Sequence, residues 1–556
     1  MGASGGRAAD RLAGALEELG GDRLFCVPGE SYLALLDALR DRGPEVVVCR
    51  HEGGAGMMAV ADAKLTGRPG LLAVSRGPGA ANAAIALHLA QQDAVPLLCL
   101  VGQVARHERG RGAFQEVDYA RMFGGICKGV WEVTDGAHLA ETVARAWTLA
   151  LAGTPGPVLV ALPEDMLHDR VEGASPLAPP LPPRTGPDAE ALERAAAMLA
   201  RAERPLVIAG GGLAAPEGRR ALRRLAERHR LPVALAFKYQ EIFPNDSPLF
   251  AGHLGFKSPP SLVRQLGEAD LVLAIGTRLG DVPTQGWRLP LAPEPRQPLI
   301  HVWPDAAVLG SVYRTALPVP CDPARFAAAL AETPPRAGRA PDWADACNAA
   351  ARALAAIEPR PRPDGLEFGA VVRALAAQAP PGTIVVTDSG NFSGWVHQCW
   401  PWDGETPAVG AAGGAMGLGV PGAVAASLRH PEACVLCFVG DGGLLMTGAE
   451  LATARATGAR PRIVVSDNRT YGTIRLHQER DHPGRVYGTD LVNPDFAAWA
   501  ASFGALGLAL GPGDDVDAAV ARLLAHHGPA LLSVRASAEA ISPFTTITAL
   551  RERARG

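Results

Sequence analysis

Short apolar runs recur along this chain, each separated from the next by a longer stretch with helical spacing. Leu71–Ser75, Pro96–Val101 and Val158–Leu162 are of this kind, followed by Leu206–Ala209, Val233–Ala236 and Leu271–Ile275. Thr383–Thr387, Val435–Val439 and Arg462–Ser466 complete the set. A strand covered on both faces reads as an unbroken apolar run, whereas a half-exposed strand alternates. The pattern therefore predicts an α/β fold of doubly wound parallel sheets with helices on both faces. Two proline-rich seams divide it. Gly173 to Asp188 can form neither helix nor central strand. The second seam opens at Thr333, contains a helical piece from Trp343 to Ile357, and closes at Pro359–Pro363. Three domains follow: 1–172, 189–332 and 365–556.

Length agrees, since 556 residues at about 150 per domain give roughly three to four. With 48% hydrophobic and 20% charged residues, wholesale disorder is excluded. A net charge of -4 without a basic block interleaved with aromatics argues against a nucleic-acid partner. The N-terminus has no apolar core of an export signal. The uncharged stretch from Pro407 to Leu428 is long enough for a bilayer, but its Gly and Ala content and Pro421 make it a buried turn and helix. Nine scattered cysteines suit a reducing cytoplasm. Cys434 and Cys437 form the one CxxC, and on a strand they face opposite sides, so they read as core.

Ligands of doubly wound sheets bind where strand ends feed helix N-termini. Gly440-Asp441-Gly442 occupies such a turn, with Asp441 as a hard oxygen ligand. Asn468 follows 27 residues later at the end of a second apolar strand. GDG alone reads as an ordinary turn. Paired with Asn468 after two strands, it reads as a Mg²⁺ site completed by a backbone carbonyl and phosphate oxygens. The first block carries a parallel arrangement, in which Gly77 to Asn82 lead through an Ala-rich helix to a strand opened by Pro96. The third block does the same from Gly440 to Pro461, which suggests an internal repeat.

GDG followed about thirty residues later by Asn resembles the thiamine diphosphate motif, and 440–472 matches it throughout. Cys49 to Gly54, Ser75 to Asn82, Val101 to Gln103 and Gly112 to Glu116 resemble the acetolactate synthase-like family in order and spacing. So do Gly156 to Val160, Gly413 to Gly419 and Met446 to Thr453. The resemblance is dense over the first and third blocks and loose over the middle one. It implies a pyrimidine-binding, a central and a diphosphate-binding domain. It implies that Glu52, shielded from water and raised in pKa, protonates the aminopyrimidine of the cofactor. Met416 would be the bulky residue beneath the cofactor, with Gly414 and Met416 backbone holding the pyrimidine edge, and Pro28 and Asn82 nearby. Asp441, Asn468 and the Thr470 carbonyl would ligate Mg²⁺. Gly390, Asn391, Phe392, Gly440, Gly442, Gly443, Tyr471 and Gly472 would surround the diphosphate. Gln103, Gln115 and Lys128 resemble family positions near the donor site, although for Lys128 a solvated lysine is the commoner outcome. The family brings the two halves of its site from different chains, which implies a homodimer or homotetramer. The implied reaction is decarboxylation of a 2-oxo acid and ligation of the resulting enamine to a second carbonyl. A non-ligating decarboxylase, an aldehyde lyase or a silent cofactor-binding subunit of the same fold are the alternatives.

Three positions depart from biosynthetic acetolactate synthases. His477 stands where a substrate-facing Trp is expected, and it reads equally as a proton shuttle or a surface histidine. Glu30 replaces a small residue, and Arg76 replaces a small hydroxyl residue. In the middle block, Gly210-Gly211-Gly212 follows a strand as in a dinucleotide fingerprint, but the next strand ends in Phe237-Lys238 with no acid for a ribose. FAD, which some members of the family hold there, is possible but not the favoured expectation.

Overall fold

In this computed structural model, residues 6–172, 183–256, 258–336, 342–355, 360 and 362–555 are described; residues 173–182 of the first proline-rich seam lie outside them. Strand β1 (Gly6–Arg7) pairs antiparallel with β8 (Arg170–Val171). Between them lie β2 (Arg23–Cys26), β3 (Glu45–Val48), β4 (Gly70–Val74), β5 (Leu97–Gln103), β6 (Gly129–Glu132) and β7 (Pro157–Pro163). These six form a sheet in the order β3-β2-β4-β5-β7-β6, every pairing parallel. A second sheet contains β9 (Pro205–Ala209), β10 (Val233–Leu235), β11 (Phe250–His253), β12 (Leu271–Ile275), β13 (Leu299–Val302) and β14 (Leu317–Val319). Its order is β11-β10-β9-β12-β13-β14, also parallel. The third contains β15 (Ile384–Thr387), β16 (Ala408–Gly410), β17 (Val435–Gly440), β18 (Pro461–Asp467), β19 (Leu506–Leu510) and β20 (Ala530–Arg535). Its order is β16-β15-β17-β18-β20-β19. The apolar runs read from sequence coincide with these strands to within a residue or two at each end.

Counted from its own first strand, the first sheet and the third share one order, 2-1-3-4-6-5, whereas the second runs 3-2-1-4-5-6. The shared order matches the correspondence between the Gly77 and Gly440 segments. Two compact units result. One comprises residues 1–182, 360–394 and 409–556 and holds the first and third sheets; the other comprises 183–359 and 395–408.

Within the first unit a single core runs from Leu72, Val74 and Leu97 to Val386, Val435 and Val465. Between them packs the helix Glu52–Thr66, whose residues from Gly53 to Ala63 are all buried. A helix apolar on every side is a core helix. Its three glycines cost roughly 1 kcal/mol each against Ala, and close approach explains their presence. A Cβ on Gly56 would lie 2.4 Å from that of Ala86 on the neighbouring helix Pro78–Asp93. The Pro407–Leu428 stretch forms β16, a turn and the buried helix Gly419–Arg429. Among the described residues no helix is long and apolar enough to cross a membrane. All nine cysteines are free, and Cys437 is buried in β17.

In the second unit, the glycine turn after β9 is filled by the chain itself. A Cβ on Gly211 would lie 2.4 Å from the Tyr239 ring, and one on Gly210 would lie 2.7 Å from the Gly276 carbonyl. Gly212 faces Gly276, Pro323 and Trp303. These glycines admit the close approach of Tyr239, Gly276 and Trp303.

Candidate active site

Glu52 opens its helix at the carboxyl end of β3. His51 precedes it as N-cap, its Nδ1 accepting from the Gly53 N–H at 3.0 Å. Asn82 Nδ2, from the first turns of the neighbouring helix, donates to Glu52 Oε2 at 2.9 Å, and Gly79 lies against Oε1. The sequence leads one to expect a carboxylate shielded from water. In the single chain Glu52 is only half-buried and its partner Asn82 is exposed, as is Pro28. The apolar flank is present, since Gly53, Gly54 and Ala55 are all buried, but among the described residues Asn82 and Gly79 leave the carboxylate partly open to solvent.

The second half lies at the carboxyl ends of β15, β17 and β18. Asp441 starts the short helix Asp441–Thr447 and is buried. Its oxygens accept from the Gly442 N–H at 2.9 Å and from Asn493 Nδ2 at 2.8 Å. Burial pushes its carboxyl up to about 6. Asn493 also donates to Asp467 at 2.8 Å, so one amide spans the ends of β17 and β18. Asn468 Oδ1 accepts from the Thr470 N–H at 3.2 Å, a turn that brings its side chain back over the loop. Tyr471 packs on Gly442, and Asn391 Nδ2 donates to the Gly472 carbonyl at 3.2 Å. Phe392 lies against Gly390 and Gly440. Asp388, fully buried, accepts from the Gly417 N–H with both oxygens at 3.0 Å, and its Oδ2 fills the place where Gly443 would carry a Cβ. Sequence reasoning used neither Asp388 nor Asn493 as a site residue; an Asp at a strand end was the one available signal.

Asp441, Asn468 and Thr470 offer one buried carboxylate, one amide oxygen and one backbone carbonyl, all of them hard oxygen donors. That set suits Mg²⁺ completed by phosphate oxygens. Among the described residues no Lys or Arg is paired with Asp441, so its negative charge is available to a cation. Gly414, with φ of 75°, is exposed and has no atom within 4 Å of a Cβ position, so its backbone is open on that side.

These two halves do not close on each other within one chain. Asp93, at the far end of the Asn82 helix, accepts from the N–H groups of Ala412 at 3.1 Å and Gly413 at 2.6 Å. Lys64, at the far end of the Glu52 helix, pairs with Asp93 and donates to the Gly410 carbonyl at 2.6 Å. Eleven residues separate Asn82 from Asp93, which is about 16 Å along a helix axis. The segment leading into Gly414 and Met416 thus sits at the end opposite Glu52.

The remaining expected residues are distributed unevenly. Gln103, at the end of β5, is buried and committed: Nε2 donates to the Val117 carbonyl at 2.9 Å, and Oε1 accepts from Val104 N–H at 3.0 Å. Gln115 has φ of 63° and its backbone packs on Gly77. Lys128 departs from the expectation. It precedes β6 at the amino end of the sheet and donates to the Ala152 carbonyl, away from the carboxyl-end turns. His477 is exposed on the helix Gly472–Asp481. Glu30 and Arg76, two separate departures in sequence, are one ion pair. The buried Arg76 guanidinium donates to Glu30 at 2.6 Å and to Glu164 at 2.7 Å. Ser31 ties to both neighbours, accepting from the Arg76 N–H at 3.2 Å and meeting Ser75 Oγ at 3.2 Å. A cavity of about 360 Å³ opens beside Glu30, Ser31, Ala105, His107 and Glu164.

The patterns described as thiamine pyrophosphate enzyme N-terminal TPP binding domain, central domain and C-terminal TPP binding domain match residues 6–122, 192–330 and 388–534. This chain belongs to the thiamine pyrophosphate enzymes. It is similar to the acetolactate synthase isozyme 1 large subunit of Escherichia coli, 31% identical over 534 residues that cover 94% of this chain and 93% of that one. It is also 31% identical to the acetolactate synthase large subunit of Corynebacterium glutamicum, over 92% of this chain and 85% of the relative. The large subunit IlvB1 of Mycobacterium tuberculosis is 32% identical over 90% and 83%. Near-complete coverage in both directions places the chain among acetolactate synthase-like thiamine diphosphate enzymes, and its three parallel sheets are the fold of that family.

Proposed function

We propose that this thiamine diphosphate enzyme is a Mg²⁺-dependent carboligase that decarboxylates a 2-oxo acid and joins the remaining fragment to a second carbonyl. The observation that carries the reading is the coexistence of the Glu52–Asn82 pair with the Asp441–Asn468–Thr470 oxygen set in a chain alike to acetolactate synthase subunits from end to end. When bound, thiamine diphosphate would supply a carbon nucleophile for the 2-oxo acid carbonyl and an electron sink for loss of CO₂. Asp441, Asn468 and the Thr470 carbonyl would hold the metal. The backbone around Gly440, Gly442, Gly443 and Gly472, with Gly390, Asn391, Phe392 and Tyr471, would hold the diphosphate. Gly414 and Met416 would hold the pyrimidine edge, and Glu52 would keep a proton on its ring nitrogen, oriented by the Asn82 amide. Gln103, Gln115 and His477 are proposed near the donor.

A second copy of the chain completes this reading. Glu52 opens one end of its helix pair and the Gly410–Gly413 segment that leads into Met416 is held at the other, and the exposed apolar side chains include Val48, Ile85, Leu445 and Met446, suited to burial. A homodimer, or a dimer of dimers, would cover Glu52 and supply the water-free setting its role requires. The domains would run 1–172, 189–332 and 365–556, and the protein would work in the cytoplasm. FAD is not part of the proposal, because Tyr239 occupies the glycine turn that would receive it.

The test incubates the protein with thiamine diphosphate, Mg²⁺ and pyruvate and identifies products by mass spectrometry. Acetolactate supports carboligation. Acetaldehyde as the sole organic product moves the enzyme to the decarboxylases. Consumption of neither pyruvate nor larger 2-oxo acids would refute the reading. Glu52→Gln should retain cofactor binding and lose turnover.

A further inference from the structure

Glu450 is a buried carboxylate that no part of the proposed chemistry uses. It lies nine residues after Asp441, where the Asp441–Thr447 helix turns into the helix Leu451–Thr457. Only 1% of its surface is exposed. Its side chain reaches into the turn that precedes Glu52. Oε1 accepts from the N–H groups of Arg50 and His51, both at 3.1 Å. Oε2 accepts from Arg50 N–H at 3.2 Å and from Thr453 Oγ1 at 2.5 Å. The carboxylate so fills the space beside Gly54 that a Cβ there would sit 2.3 Å from Oε1.

The donors are two backbone amides and a hydroxyl, and burial alone holds the carboxyl above the usual range. Burying a charge among neutral donors is expensive, and an apolar side chain of similar size would pack here at less cost. What the carboxylate supplies is geometry. Two N–H groups bonded to one rigid anion fix the peptide planes of Arg50 and His51, and those planes set where the next residue, Glu52, points. Thr453 fixes the anion in turn. Its own hydroxyl is directed also at the Val48 carbonyl, at 3.4 Å, so the clamp spans the whole link from β3 to the Glu52 helix.

We propose that Glu450 is a positioning residue that sets Glu52, joining the helix that begins at Asp441 to the helix that begins at Glu52 through one buried side chain. The proposal rests on the assigned role of Glu52. If Glu52 serves a cofactor whose metal is held by a second copy, Glu450 also links the diphosphate turn of one site to the carboxylate of the other.

The experiment compares the full-length protein with Glu450→Gln, which removes the charge at nearly constant volume, and with Thr453→Val, which leaves the carboxylate but removes its hydroxyl donor. In Glu450→Gln, the amides of Arg50 and His51 should exchange with solvent about tenfold faster or more, measured on the cofactor-free protein. The thiamine diphosphate dissociation constant, by calorimetry with Mg²⁺, should rise about threefold. Turnover should fall about tenfold in kcat with KM nearly unchanged, and Thr453→Val should show the same split more weakly. Faster exchange with unchanged kcat and unchanged cofactor affinity would overturn the proposal, because the clamp would then be structural only. Unchanged exchange would overturn it as well. If Glu450→Gln does not fold, Thr453→Val decides by the same criteria. A wild-type protein that binds the cofactor but turns over no 2-oxo acid would count against the carboligase reading alone, and the dissociation constants would then decide the role of Glu450.

Discussion

Asp93 ties the end of the Asn82 helix to the segment that leads into Gly414 and Met416. It is fully buried at the C-terminal end of its helix, where the helix dipole disfavours a negative charge. Lys64, only 11% exposed, supplies the counter-charge. Together they anchor the backbone of Gly410, Ala412 and Gly413. Asp93→Asn keeps the shape but removes the negative charge that faces Lys64 and turns an amide NH₂ toward one of three donors. Removing one partner of a buried pair costs about 3–5 kcal/mol. Lys64 keeps the Gly410 carbonyl and a little solvent, so the lower end, about 3 kcal/mol, is expected. Lys64→Met should cost a similar amount, about 2–3 kcal/mol, since Asp93 keeps two N–H donors. The double variant Lys64→Met/Asp93→Asn should fall short of the sum by about 2 kcal/mol, because neither charge is then stranded. Urea unfolding of the four proteins measures the cycle, and hydrogen exchange over residues 408–416 reports the anchored segment. Thiamine diphosphate affinity should drop in Asp93→Asn through the misplaced Gly414. A coupling below about 0.5 kcal/mol, within ordinary additivity error, would refute the anchoring argument.

Three further outcomes are expected. Because the Asp441 carboxyl is raised from 3.8 to about 6 by burial, its contribution to the stability of the metal-free protein is full below pH 3.8 and is lost as pH rises through 6, by roughly 3 kcal/mol in all. Thermal unfolding without Mg²⁺ should therefore show Asp441→Asn more stable than wild type at pH 7.5, while calorimetry shows its Mg²⁺-dependent cofactor binding gone; a variant that is no more stable would contradict the burial argument. Arg76→Ser strands two carboxylates, but Glu30 is largely solvated and Glu164 only half-buried, so urea unfolding should register only about 1–2 kcal/mol. Adding Glu30→Gly should restore most of it, and a loss that persists would mean Arg76 is held by something else. The purified protein should show no flavin absorption band even after incubation with FAD, since the turn after β9 is filled; a stoichiometric band would overturn that reading.

The sheets and the cofactor motifs were legible in the sequence because both are local. A buried parallel strand announces itself as an apolar run, and each diphosphate-site residue lies in the turn that immediately follows one. Asp441, Asn468 and Gly472 could be placed at strand ends without knowing which strands are neighbours. Glu52 was singled out by the family resemblance of Cys49 to Gly54, but its exposure could not be read, since covering it takes residues that are remote in the chain. Lys128 could not be placed because the strand it precedes, β6, is short and only half-buried and so leaves no apolar run in the sequence. Glu30 and Arg76 read as two independent departures, 46 positions apart, until the adjacency of β2 and β4 made them one ion pair. Asn493 bridges Asp441 and Asp467 across 52 and 26 positions. Glu450 meets Arg50 across 400 and Gly413 meets Asp93 across 320. Periodicity and turn chemistry decide what each segment becomes and which atoms it offers at its end. Only tertiary packing decides which of those ends meet, because a hydrogen bond between remote segments requires a distance and a direction that no local pattern encodes.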